Sequence, residues 1–332
     1  MPDKQPGLFI LGMGHFHPEN EIDNQFLEDL EIGTNNEWII ERTGIKTRRT
    51  VLKLEYIRST KNSNPRDSGE ASTWTNAQTG AKAAEMALLR AGITKDQIGL
   101  VISGGCSPQH TIPAESCLVA AELGITSPCF DVASACSSFA AQMNYLNNCK
   151  PETLPDYILV VNSENTTRTV DYSDRSNAVL WGDGTAATVV SPRIRGPLGI
   201  LHTTLLSDPS GWNKVAIPTG GHFYQNGSAV QAFAIRKTGE TLNVLREHLS
   251  NPKDHWFIGH QANLLMLQSV CKRADISAEK HLSNVELFGN CGAAGAPSVL
   301  SQNWGKFSKD EEIALVVVGS GLTWGGVALK VL

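Results

Sequence analysis

A chain of 332 residues, 41% hydrophobic and 18% charged, is about two domains long and apolar enough to bury a core without disulfides. Its 28 basic and 33 acidic side chains leave a net charge of −5, which excludes the broad basic field that a nucleic-acid partner needs. No apolar run approaches the ~18 residues of a membrane span. Met1 to Gly7 lacks the charged-then-apolar layout of a signal peptide, so a cytoplasmic protein is expected.

In chain order, a strand is expected from Leu8 to Gly12, running into Gly12-Met13-Gly14, and a short helix from Asn36 to Arg42. Polar Leu52 to Thr73, with Pro65 inside it, reads as a long surface loop. A helix follows from Trp74 to Ala91, stopped by Gly92, then a strand from Gly99 to Ser103. Pro113 opens a helix that runs to Leu123 and ends at Gly124. Cys129 to Val132 reads as a strand and Ser137 to Asn148 as a helix. Strands are expected at Tyr157–Val161, Ala186–Val190 and Leu198–Leu206. The second half repeats the rhythm: helix Ser228–Leu249, strand Trp256–Ile258, helix Leu264–Arg273 and strand Val285–Leu287. A glycine-rich loop, Gly289–Gly295, precedes another helix, and Ile313–Val318 and Val327–Val331 close the chain as strands. The alternation predicts an α/β protein. The similar order suggests a duplicated α/β unit, with one ordinary doubly wound sheet as the alternative.

Seven cysteines without a C-x-x-C pair read as reduced, mostly buried thiols, and a zinc site has little support. There is no Walker A loop and no G-x-G-x-x-G after a strand, so no tightly held nucleotide is expected.

Three strand ends carry reactive side chains. In Asp131-Val132-Ala133-Ser134-Ala135-Cys136-Ser137-Ser138-Phe139 a cysteine ends a strand and opens a helix. The partial positive charge and free N–H groups of a helix N-terminus favour a thiolate. Taken alone, such a cysteine is more often merely packed. Gly259-His260-Gln261-Ala262-Asn263 and the Gly289-Asn290 step place a histidine and an asparagine at two further strand ends. Alone, the histidine reads as structural and the asparagine as a turn residue. Together, the three are the parts needed for thioester chemistry: a thiolate nucleophile and two donors for a developing enolate oxygen. Gly319-Ser320-Gly321-Leu322-Thr323-Trp324-Gly325-Gly326 presents unobstructed backbone N–H groups, as an oxyanion hole or as a tight hairpin.

This ordered set resembles the β-ketoacyl-acyl carrier protein synthase III family of the thiolase superfamily. The likeness runs from Gly12 to Leu332. Its markers are Glu37-Trp38-Ile39, Arg42-Thr43-Gly44-Ile45, Asp131 to Phe139, Asp174-Arg175, Gly182-Asp183-Gly184, Gly259 to Asn263, Gly289-Asn290 and Thr323-Trp324-Gly325. The resemblance implies a layered α-β-α-β-α, thiolase-like fold. Its halves would be residues 1–190, carrying Cys136, and 191–332, carrying His260 and Asn290, each with a five-stranded sheet. It implies a homodimer, and a ping-pong Claisen condensation in which Cys136 takes an acyl group from acyl-CoA. A malonyl thioester, on carrier protein or CoA, then loses carbon dioxide. His260 and Asn290 would stabilise the enolate, and the backbone N–H groups of Cys136 and Ser320 would hold the tetrahedral oxyanion. Acyl-CoA is a substrate, and no cofactor or metal is implied. Thr34, Trp38, Arg42, Arg175 and Asn263 match positions that contact CoA, the indole face suiting base stacking and the arginines phosphate or base contacts. Ile112 matches a residue that reaches into the partner's acyl pocket. Asp183 reads as structural.

The chain departs from the family pattern in places. Leu265 stands where arginine often helps dock an acidic carrier protein, and Gln231 with Ala232 replaces basic and phenylalanine residues. Lys272 and Arg273 remain as a small basic pair. Ser320 interrupts the usual glycine triplet, and the Leu52–Thr73 loop is long. These changes favour a CoA-borne extender. They lean toward a specialised homologue making an alkylquinolone, a dialkylresorcinol or a modified fatty-acid starter. Acyl transfer to an oxygen or nitrogen acceptor, and a non-catalytic acyl-thioester binder, are the rival readings.

Overall fold

A computed structural model describes residues 6–332. The reading of Met1 to Gly7 therefore falls mostly on residues 1–5, outside the described residues. The strands of the first half are β1 (Phe9–Phe16), β2 (Asn20–Asp23), β3 (Thr47–Thr50), β4 (Leu100–Ser103), β5 (Cys129–Asp131), β6 (Ile158–Glu164) and β7 (Gly184–Ser191). Those of the second are β8 (Leu198–Ser207), β9 (Val215–Ala216), β10 (Tyr224–Gln225), β11 (Trp256–Ile258), β12 (His281–Leu282), β13 (Glu312–Gly319) and β14 (Thr323–Val331). The ribbons β2–β3 and β9–β10 stand apart. The remaining strands form one ten-stranded sheet in the order β12-β11-β13-β14-β8-β1-β7-β6-β4-β5.

That order reads alike from its middle outward. β1 pairs antiparallel with β7, β7 antiparallel with β6, and β6 and β5 flank β4 in parallel. From β8 the same senses follow through β14, β13, β11 and β12. Each half thus contributes five strands, and among the described residues the two sets meet at β1–β8 through Phe9↔Gly199 and Ile10↔Leu198, with Ile200 N–H donating to Leu8 O beside them. Helices fill the space between and outside them. Ser138–Asn148 packs on β8 and β14, and Gly295–Gln302 on β1, β7, β11 and β13, forming a middle layer. Asn76–Ala91 covers the outer face of β1, β6 and β7, and Gly227–Arg246 that of β8, β13 and β14. Phe139, Met143, Leu146, Val299 and Leu300 of the middle layer are buried against β1, β6, β11 and β13. This is the α-β-α-β-α layering of a thiolase-like fold.

Local sequence explains most element ends. Thr75 and Gln78 make a capping box at the start of Asn76–Ala91, and Gly92 ends it in the left-handed region. Its Ala83 and Ala87 press close to the sheet. A Cβ at Gly14 would lie 1.9 Å from the Ala83 carbonyl oxygen, and one at Gly12 2.3 Å from that of Ala87. The glycines of Gly12-Met13-Gly14 are therefore inside a strand that continues to Phe16, not at its end. Two further expectations are corrected. Leu52–Thr73 is not a loose loop: it holds helices Leu54–Thr60 and Ser68–Ala71, with Leu52, Ile57 and Ala71 buried in a local core. Its polar composition masked three anchoring apolar positions. Val285–Leu287 lies in a single helical turn, Val285–Phe288, rather than a strand. The run is too short for periodicity to separate the two.

Candidate active site

The turn that carries Cys136 is held by hydroxyls. Ser134 N–H donates to Ser138 Oγ at 2.9 Å, and Ser138 Oγ donates to the Ala135 carbonyl at 2.6 Å. Ser137 and Thr323 share a hydroxyl hydrogen bond that ties this turn to the β13–β14 hairpin. Ala135 sits at φ +46, left-handed for a residue with a Cβ, at a cost of about 1 kcal/mol. Cys136 follows, just before Ser137, the N-cap of helix Ser138–Asn148.

Cys136, His260 and Asn290 come together, each 7% exposed, and all three line one cavity of about 590 Å³. Gly319 and Ser320 line it as well. A Cβ on Gly319 would lie 3.2 Å from the Cys136 backbone nitrogen. The glycine thus leaves room for an oxygen in front of that N–H. The Ser320 hydroxyl donates to the Val215 carbonyl, so its side chain turns to the ribbon. The stretch after β13 is both a hairpin, with Gly319 opposite Thr323, and a wall of the cavity.

Asn290 is fixed through its backbone. Its N–H donates to Leu180 O at 2.8 Å, and Gly182 N–H returns a bond to Asn290 O at 3.1 Å. Gly292 N–H donates to its Oδ1 at 3.0 Å, which fixes the amide at the cavity wall. His260 follows β11 directly, and its Nδ1 is buried without a hydrogen-bond partner.

Two groups that sequence reasoning missed stand behind Cys136, outside the lining of the cavity. Cys106 Sγ lies 3.3 Å from Cys136 Sγ. Glu164, the last residue of β6, is fully buried and accepts from Cys106 N–H at 2.9 Å and Ala293 N–H at 2.8 Å. The Cys136 thiol is held well below its ordinary value by the Cys106 hydrogen bond and the adjacent His260, against the opposing effect of burial. Cys106 is pushed well above its ordinary value by its bond to Cys136, by burial and by Glu164. Burial, and then the neighbouring Cys136 charge, raise Glu164 to about 7. Glu164 closes β6, ILVVNSE, behind polar Asn162 and Ser163, so the sequence carries no signal that it is buried. Asp183 is fully buried and accepts from the Thr167 and Val51 N–H groups, as a structural carboxylate does.

At the mouth, Trp38 carries Arg42 at 4.5 Å and Arg175 at 4.9 Å over its ring. Arg175 also donates to the Gly33 carbonyl. Trp38, Arg42 and Asn263 line the cavity; Thr34 and Arg175 do not. Thr34 is half-buried, with its hydroxyl unpartnered. Asn263 has both side-chain atoms engaged: Oδ1 accepts from Met266 N–H at 3.0 Å and Nδ2 donates to Arg42 O at 2.8 Å. Its work in this state is to cap a helix and tie the two sides of the mouth. Ile112 is 84% exposed on the surface and touches no part of this cavity. Leu265 and Gln231 line the rim. Among the described residues no cluster of three His, Cys, Asp or Glu side chains could hold a metal, and no helix is long and apolar enough to cross a membrane.

A five-layered α/β fold, with a buried cysteine, histidine and asparagine on the floor of one apolar cavity, defines a condensing acyltransferase. Family models agree. The 3-oxoacyl-[acyl-carrier-protein] synthase III model matches residues 130–209, and the model of that enzyme's C-terminal part matches 245–331. β-Ketoacyl-[acyl-carrier-protein] synthase III of Syntrophomonas wolfei is 35% identical, covering 97% of this chain and 96% of its own. That of Oceanobacillus iheyensis is 32% identical over 97% and 98%. The crystal structure of 3-oxoacyl-[acyl-carrier-protein] synthase III from Aquifex aeolicus superposes with a TM-score of 0.84 at 30% identity, over 98% of this chain and all of that one. The chain belongs to the β-ketoacyl-[acyl-carrier-protein] synthase III family.

Proposed function

We propose that this protein joins an acyl group from acyl-CoA to a malonyl thioester by decarboxylative Claisen condensation, with Cys136 as the acyl carrier. The observation that carries the reading is the convergence of Cys136, His260 and Asn290 on one cavity with Trp38 and Arg42 at its mouth. The Cys136 sulfur attacks the acyl-CoA carbonyl, and the CoA thiolate leaves. The tetrahedral oxyanion rests on the N–H groups of Cys136 and Ser320. The malonyl thioester then loses carbon dioxide, and the enolate oxygen accepts hydrogen bonds from His260 and Asn290 Nδ2. Its carbon attacks the acyl-Cys136 carbonyl, the carbon–carbon bond forms, and the Cys136 sulfur leaves.

The Trp38–Arg175 stack supports an adenine site, with the base sliding between indole and guanidinium. Apolar Leu265 and neutral Gln231 at the rim support an extender carried on CoA rather than on an acidic carrier protein. A homodimer is supported by the sheet edge. β5 is unpaired on one side, and Phe130, Tyr145 and Ile112 are exposed on this edge and the segments beside it. In such a dimer Ile112 reaches toward the partner. Seven free cysteines suit a reducing, cytoplasmic setting.

Intact-mass measurement across an acyl-CoA panel tests the first step. An adduct on the wild type that Cys136→Ala lacks is expected, and no adduct with any donor overturns the reading. His260→Ala should acylate yet neither release carbon dioxide nor condense. Running malonyl-CoA beside malonyl carrier protein decides the extender, and product without carbon dioxide release would instead mean plain acyl transfer to an acceptor.

A further inference from the structure

The likeness of the two halves extends to their loops. The turn after β4 carries Cys106, and the turn after its counterpart β11 carries His260. Cys136 follows β5, and Asn290 follows the counterpart β12. Cys106 is therefore the match of His260 in the other half, and each approaches the Cys136 sulfur.

Its surroundings leave the Cys106 thiol little freedom. Gly105 takes φ +155, and the Cys106 N–H is anchored on Glu164 Oε1. The Asn290 loop presses from another side: a Cβ on Gly292 would lie 3.2 Å from Cys106 Sγ and 2.6 Å from Glu164 Oε1. The sulfur is left facing Cys136 at 3.3 Å. The groups around the pair are distinct in charge. Glu164, at the end of β6, stands behind Cys106, and His260, from the turn after β11, stands beside Cys136. From the loop after β12 the neighbours are neutral Asn290 and Cys291, a buried thiol. A thiol between a carboxylate and a second sulfur keeps its proton, because losing it would gather anions in a buried space. The sulfur beside the imidazole and the helix N-terminus is the one that ionises.

We propose that Cys106 is a positioning residue for the nucleophile, its S–H donating to Cys136 Sγ and holding that sulfur, as thiolate, toward the incoming acyl carbonyl. The inference rests on Cys136 being the acyl acceptor. It places the effect of Cys106 in one half of the cycle. Once Cys136 is a thioester its sulfur is a poor acceptor, so the contact matters for acyl transfer and little for decarboxylation.

The test uses iodoacetamide alkylation of the full-length enzyme from pH 5 to 10, with each cysteine resolved by peptide mass. In the wild type Cys136 should be labelled below pH 8 while Cys106 stays unmodified. Cys106→Ala should raise the pH midpoint for Cys136 by about one unit, the scale of one hydrogen bond to a charged group. It should slow single-turnover acylation about tenfold and leave carbon dioxide release from the preformed acyl-enzyme within about twofold. Cys106→Ser keeps a donor and should restore the midpoint. An unmoved midpoint in Cys106→Ala, a Cys106→Ser variant that behaves like Cys106→Ala, or earlier labelling of Cys106 in the wild type would each overturn it. The last readout needs no variant to fold. Failure of Cys136 to label or acylate at all would instead strike the nucleophile assignment, so the two failures are separable.

Discussion

Glu164→Gln isolates a buried charge and makes stability report on it. Glu164 has no exposed surface, and its carboxyl is raised to about 7 from an ordinary 4.5, chiefly by burial. The shift is upward in an acid, so the folded state binds the proton more tightly than the unfolded chain does. Between pH 4.5 and 7 the folded form is protonated where the unfolded form is not, and stability falls as pH rises through that window. At about 1.4 kcal/mol per unit, Glu164 should cost the native state roughly 2–3 kcal/mol more at pH 8 than at pH 5. Glutamine can keep the bonds from Cys106 and Ala293 N–H through its amide oxygen, and the Ser107 and Thr166 hydroxyls can turn to accept from its NH2. Its offset from wild type is therefore constant, except for the lost titration. Urea unfolding of both proteins at pH 5 and pH 8 gives the double difference, in which titrating groups that do not interact with Glu164 cancel; the cysteines that do are Cys106, Cys136 and Cys291. Glu164→Gln should gain roughly 2–3 kcal/mol on wild type over that interval. A difference that stays flat with pH would refute the reasoning.

Three further outcomes are expected. Gly319→Ala places a methyl carbon 3.2 Å from the Cys136 nitrogen and 2.9 Å from that of Ser137. Acylation should fall about 10²–10³-fold, and a rate within threefold of wild type in a folded variant would reject the oxyanion assignment. Trp38→Ala removes the platform under Arg42 and Arg175, so KM for acyl-CoA should rise about tenfold with kcat held; an unchanged KM for CoA donors speaks against an adenine site there. Met143→Ala opens a void in the middle layer and should cost about 2–5 kcal/mol in denaturant unfolding.

The three residues that meet in the cavity were readable because each sits where two local signals coincide. Cys136 follows a strand and opens a helix, and His260 and Asn290 have a glycine beside them at turns. The strand–helix alternation gave the fold class for the same reason, since its periods are local. What was not readable depends on contacts distant in the chain. Cys106 gains meaning only when the β5 turn brings Cys136 to it, 30 residues on. Glu164 lies past the expected Tyr157–Val161 strand, and only the folded chain brings two loops together to donate to it. Gly12 and Gly14 resembled a strand end because the helix that requires them lies some seventy residues later. Asn263 matched a CoA contact by position, yet its amide is committed to Arg42 and Met266.

The narrow β1–β8 join has a mechanical consequence. Among the described residues two registered pairs cross it, too few for a long ladder to lock one half against the other. Their setting is left to the helices wedged between the sheets, Ser138–Asn148 and Gly295–Gln302. One of these begins just after Cys136, and the other just after the Asn290 loop. On the mechanism proposed above, the gap between the electrophilic carbon on Cys136 and the enolate held by His260 and Asn290 would be gauged by the volume of interior side chains such as Met143 and Leu300. Trimming that volume should let the two plates slide. Decarboxylation, whose donors ride on one plate, should tolerate the movement better than carbon–carbon bond formation, which must bridge both.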